Sequence, residues 1–150
     1  MSLVSTEWLE KNLENVRVID ASWHMPISNR NAYNEYLSKH IGDAVFFNLD
    51  KSSDEISTLP HMLPNKKKWK KIISDFGIIN EDHIVIYDNS DTISSCRCWY
   101  NFIYFGHDIH KVSVLNGGLI KWINEKRPVT DKIINFNKSN YNIVEKKNLV

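Results

Sequence analysis

Four short apolar runs rich in β-branched residues, VRVID (16–20), AVFF (44–47), HIVIYD (83–88) and KVSVL (111–115), alternate along the chain with stretches of helical periodicity. The later two runs are too continuously apolar for a sheet with one wet face, so they are expected to be buried on both. The stretches between them read as helices: TEWLEKNL (6–13) behind Ser5 as N-cap, NAYNEYLSK (31–39), KKWKKIISDF (67–76), SSCRCWYNFIYF (94–105) and GLIKWINEK (118–126). Gly77 and Gly106 stand where helix C-terminal glycines belong. Strands alternating with helices predict an α/β domain with a mostly parallel central sheet, right-handed crossovers and helices on both faces. Its working side is then the set of loops at the strand C-terminal ends.

Composition removes several function classes. With 19 Lys and Arg against 18 Asp and Glu the net charge is +1, which supplies no field for nucleic acid or an anionic membrane. No basic segment followed by an apolar run opens the chain, and no stretch approaches roughly 18 uninterrupted apolar residues, so no membrane association is expected and the location is read as cytoplasmic. Cys96 and Cys98 are two apart on a predicted helix and point to different faces, so no mutual disulfide is expected, and both read as inert packing. The six histidines show no metal-ligand spacing, so neither a metal nor a cofactor is expected. KKKWKK (66–71) reads as a solvated helix face, while Trp23, Trp99 and Trp122 are assigned to the core or to an interface. After RPVT (127–130) the pattern fades into a mostly polar stretch. Residues 1–130 are therefore read as the domain and 131–150 as a linker towards something further.

The stretch IVIYDNSDTISSC (84–96) runs from a buried strand through a polar loop into a helix. Such a loop collects unpaired backbone N–H groups at a helix N-terminus and so favours anions. A cysteine at position 88 would be held there as a thiolate, but the residue is Asp88, whose carboxylate can take the N–H groups itself. Two readings stay open for Asp88: a cap that orders the loop, or an independent catalytic carboxylate. In NLDKSSDEISTLPHMLP (48–64), Asp50 and His61 share a Ser-rich loop after a strand. An Asp that accepts from one imidazole nitrogen leaves the other free to exchange protons near neutral pH. Alternatively, His61 packs between Pro60 and Met62 and satisfies a loop carbonyl.

LVSTEWL (3–9), VIDASW (18–23), EYLSKHIGDAVFFNLD (35–50), LPHMLP (59–64), IVIYD (84–88), Arg97 and Trp99 of SCRCWY, FGHD (105–108) and VLNGGLIKW (114–122) together resemble the rhodanese sulfurtransferases. The likeness is to the N-terminal domain of the two-domain 3-mercaptopyruvate and thiosulfate enzymes. It implies a three-layer rhodanese-like fold. It also implies a partner domain carrying the sulfur-bearing cysteine, and Asp88 as the usual occupant of the inactive loop. Enzymes similar to this that use mercaptopyruvate carry the equivalents of Asp50 and His61, directed at a Ser of the second domain. The resemblance thus implies a small-molecule sulfur donor, a thiol or cyanide acceptor, and transfer through a persulfide outside this chain. HIGDA (40–44) stands where the family has HIPGA, and Asn89 where it has Gly. A stand-alone, catalytically silent binding or regulatory module is the rival reading, and a thiol enzyme using Cys96 or Cys98 a third.

Overall fold

The computed structural model describes residues 2–53, 63–89 and 94–144. Its elements are β1 (Leu3–Val4), α1 (Thr6–Asn12), β2 (Arg17–Asp20), α2 (Ala32–Ser38), β3 (Val45–Phe46), α3 (Lys66–Asp75), β4 (Ile84–Tyr87), α4 (Ser94–Tyr104), β5 (Val112–Leu115) and α5 (Gly118–Asn124), with single 3₁₀ turns at 13–15, 26–28 and 109–111. The strands form one sheet in the order β1-β5-β4-β2-β3, every neighbouring pair parallel. This is the expected α/β architecture, with one addition. β1 has only two residues, and it pairs with β5 through Leu3↔Val114 and Val4↔Leu115.

Alternation along β4 builds the three layers. Ile84 and Ile86 enter the core shared with Trp69 and Ile73 of α3 and Phe102 of α4, whereas Val85 and Tyr87 enter the core shared with Leu9 of α1, Tyr36 of α2 and Trp122 of α5. Burial on both faces explains why β4 reads as an unbroken apolar run. Trp69 stacks on Phe105 with ring centroids 5.3 Å apart and meets Phe102 and Phe47 edge-on. The lysines around it form the expected solvated face, with Lys66, Lys67, Lys70 and Lys71 exposed, while Lys68 Nζ donates to the Ser53 carbonyl. Local signals set the helix ends, since the Ser5, Asn31 and Asn65 side chains each accept an N–H from the first turn that follows. Among the described residues no helix is long and apolar enough to cross a membrane.

Residues 131–144, read from the sequence as the start of a linker, lie along the domain. Both ring nitrogens of buried His40 sit on carbonyls, Tyr36 O at 2.7 Å and Lys132 O at 2.8 Å, so this side chain fastens the start of the segment. Further on, the Arg17 guanidinium lies 3.8 Å above the Phe136 ring, and Tyr141 is fully buried. His107 Nε2 lies 2.9 Å from Asp82 O, which can only accept, so Nδ1 is left to accept from the Tyr141 hydroxyl at 2.8 Å. Burial holds the His107 pKa below its ordinary value, in keeping with a neutral ring so partnered.

Tyr141→Phe keeps the ring and removes the hydroxyl, and should cost about 1 kcal/mol of unfolding free energy in urea. Tyr141→Ala should cost about 3–5 kcal/mol. A loss of under about 1 kcal/mol for the alanine variant would mean that the segment adds little to the fold.

Candidate functional site

Strands β2, β3 and β4 run parallel and side by side, so the residues following each emerge on one edge of the sheet. The β2 register sets Asp20 beside Tyr87 of β4 and Phe46 of β3. Asp20 is buried, and its Oδ1 accepts the Ser22 N–H at 2.9 Å. Burial pushes the Asp20 carboxyl up to about 6; hydrogen bonds from Ser22 and Tyr87 pull against this, and the charge of Asp88 adds to it. The Ser22 hydroxyl then accepts the Asn89 N–H at 2.7 Å, which ties the β2 loop to the β4 loop.

Asp88 begins the β4 loop. Its Oδ2 accepts the Ser95 N–H at the start of α4 at 2.9 Å, so the carboxylate occupies part of the donor set that the sequence assigned to an anion. Its backbone oxygen accepts the Leu119 N–H at 3.0 Å. That approach explains the second glycine of LNGG: Gly118 has φ +63°, and a Cβ there would stand 2.6 Å from Asp88 O. The remaining loop residues 90–93 lie outside the described residues. The two thiols nearby are poor nucleophiles. Burial, with Asp88 adding, pushes the Cys96 thiol up, and burial pushes that of fully buried Cys98 well up.

Asp50 lies exposed in a turn after β3, in which Asn48 Oδ1 accepts the Lys51 N–H and Ser53 Oγ donates to Leu49 O. The Trp23 indole N–H reaches both Asp50 oxygens, at 3.1 and 3.2 Å. A cleft of about 280 Å³ opens here, lined by Trp23, Tyr33, Phe46, Asn48 and Asp50 among others. His61, the partner expected for Asp50, lies outside the described residues. On the far side of the cleft Arg30 grips Glu35 through two hydrogen bonds and donates to Asn89 O at 3.1 Å, while His24 Nε2 lies 2.8 Å from the same carboxylate. Burial pulls the Glu35 pKa upwards, but Arg30 and then His24 outweigh it and hold it below the ordinary value. Among the described residues no cluster of three or more His, Cys, Asp or Glu could hold a metal.

The structure therefore places Asp50 and Asp88 on one edge, joined through the β2 loop by Trp23 on one side and Ser22 on the other. Ser22, Trp23, Arg30 and Glu35 were not picked out as site residues from the sequence. VIDASW carried a signal for the first two, since it pairs a buried strand end with a polar turn and an indole donor.

A family profile for rhodanese-like domains matches residues 5–125. Thiosulfate/3-mercaptopyruvate sulfurtransferase 1, mitochondrial, of Arabidopsis thaliana is 44% identical over 122 residues, which cover 80% of this chain and 32% of that protein. The 3-mercaptopyruvate sulfurtransferase of Mus musculus is 37% identical over 137 residues, covering 86% of this chain and 46% of the relative. Among solved structures, the 3-mercaptopyruvate sulfotransferase SseA of Escherichia coli superposes with a TM-score of 0.89 at 30% identity, covering 98% of this chain and 57% of that one. The chain thus spans from about a third to just under half of the length of these curated relatives.

Asp20 sets a pH slope whose sign follows from its raised pKa. The folded state holds this proton more tightly than the unfolded chain, so the stability tied to Asp20 is present at low pH and falls as pH rises from 3.8 to about 6. On acidification from about pH 7 to about pH 4, the wild type should gain on the order of 2 kcal/mol relative to Asp20→Asn, measured by urea unfolding. Equal slopes for the two proteins would contradict the buried, protonation-linked Asp20.

Proposed function

The chain belongs to the rhodanese family, and from that premise we propose that it is the N-terminal half of a tandem sulfurtransferase. In this reading a second rhodanese domain of the same polypeptide carries the nucleophilic cysteine, and the present domain supplies scaffold, interface and an acid–base pair. One observation carries the proposal: the loop after β4 holds Asp88, bonded to the first turn of α4, while Cys98 is buried, Cys96 is partly exposed, and burial pushes both thiols up rather than activating them. The length of the relatives, two to three times the matched segment, supports a further domain.

The chemistry assigned to the whole protein is transfer of sulfane sulfur from 3-mercaptopyruvate, or from thiosulfate, to a thiol or cyanide. A cysteine thiolate attacks the mercaptopyruvate sulfur, forming an S–S bond and breaking the C–S bond. The electron pair of the broken bond goes to carbon, which takes up a proton to give pyruvate and leaves a cysteine persulfide. An acceptor thiol or cyanide then removes the outer sulfur and restores the thiolate. The proton for carbon is the step that needs an acid, and we assign it to His61, oriented by Asp50. Thiosulfate releases sulfite without protonation at carbon, so the pair favours mercaptopyruvate as donor.

In the polypeptide that joins this domain to a cysteine-bearing one, His61→Ala should lower mercaptopyruvate turnover by roughly 10²–10⁴-fold. Thiosulfate turnover should suffer much less, and Asp50→Asn should do less harm than His61→Ala. Equal losses with both donors would return His61 to a packing role. A coding sequence without such a domain would favour the silent binding module.

A further inference from the structure

We infer that Trp23 is a positioning residue for Asp50: its indole N–H, bonded to both carboxylate oxygens across the cleft between the β2 and β3 loops, sets the direction in which Asp50 offers its remaining lone pairs. The inference rests on the acid–base reading of Asp50 proposed above. It adds a residue that neither the motif spacing nor that reading requires.

Asp50 is exposed on a turn, where the direction of a carboxylate is set by the donors that reach it, and the Trp23 indole is one of them. The indole N–H is a donor with no acceptor function, and it stands 3.1 Å from Oδ1 and 3.2 Å from Oδ2. A donor shared almost equally by two oxygens lies near the bisector of the carboxylate, so rotation of the group in either direction lengthens one of the two contacts. With a charged acceptor, the bond is of the stronger class.

The donor is itself anchored. Ser22, the preceding residue, is fixed through its N–H to Asp20 Oδ1 and through its hydroxyl to the Asn89 N–H. The Trp23 ring packs against the core on the α3/α4 side of the sheet. The Asp50 turn is braced from below by Lys68, whose ammonium donates to Ser53 O. Asp50 is thus held between two braced loops, and the link runs from buried Asp20 through Ser22 and Trp23 to the carboxylate.

Two variants separate the N–H from the ring. Trp23→Phe removes the donor and part of the bulk; 3-benzothienylalanine at position 23 keeps the bicyclic shape and removes only the donor. In this chain alone, the Trp23 indole N–H resonance should shift, and its solvent exchange quicken, on Asp50→Ala; an unmoved resonance would overturn the proposal. In the two-domain polypeptide, both position-23 variants should lower kcat with 3-mercaptopyruvate by roughly 10-fold, within the range that misorientation of a reacting group can cost. KM should be nearly unchanged, thiosulfate turnover should be spared, and either variant combined with Asp50→Asn should be little worse than Asp50→Asn alone. If Asp50→Asn impairs mercaptopyruvate turnover while the benzothienyl variant is silent or changes only KM, Trp23 is a cleft wall and the positioning role falls alone. If Asp50→Asn is itself silent, the acid–base reading falls and takes the positioning role with it.

Discussion

The parallel pairing of β2 with the central strand β4 is the constraint on which the working edge depends. Its register brings Asp20 level with Tyr87, and both side chains are buried. From that level the chain leaves β2 and β4 into loops that meet where the Ser22 hydroxyl accepts the Asn89 N–H, while Trp23 of the β2 loop reaches across to Asp50 after β3. The cost is a carboxyl buried with a pKa near 6, offset in part by the Ser22 N–H and the Tyr87 hydroxyl. A slip of one residue of β2 against β4 would turn Val18 and Asp20 to the opposite face and part Ser22 from Asn89.

The same edge accounts for the absence of an activated thiol from the loop after β4 of this rhodanese-family domain. Thiolate chemistry needs a thiol where N–H groups and a helix N-terminus converge. At that place the chain has Asp88, which accepts from the first turn of α4 through its side chain and from α5 through its backbone. The cysteines sit one and three residues beyond Ser95, where burial rather than N–H donation governs them, and both are driven towards the protonated thiol. Position, more than residue count, decides the chemistry.

Much of the fold was legible because the core is periodic. The β2, β4 and β5 runs, and helices α1 to α5, fall within a residue or two of where pattern and capping residues place them. β1 was not legible, since Leu3 and Val4 acquire strand character only by pairing with β5, more than a hundred residues away. The packing of residues 131–144 was hidden for a related reason: Phe136 and Tyr141 are isolated aromatics in a polar stretch, and only the partners Arg17 and His107 give them meaning. At the site, Asp88 could be read from the strand–loop–helix sequence around it. The Trp23–Asp50 bond spans 27 positions and has no periodic signature, so it emerged only from the geometry.

We propose that this domain shapes and orients a site whose sulfur is carried elsewhere. Intact mass of the chain after incubation with 3-mercaptopyruvate or thiosulfate, with and without later addition of cyanide, tests it most directly. An unchanged mass is expected under every condition, because burial pushes both thiols up and position 88 is a carboxylate. A gain of one sulfur atom that cyanide removes, localised to Cys96 or Cys98, would contradict it.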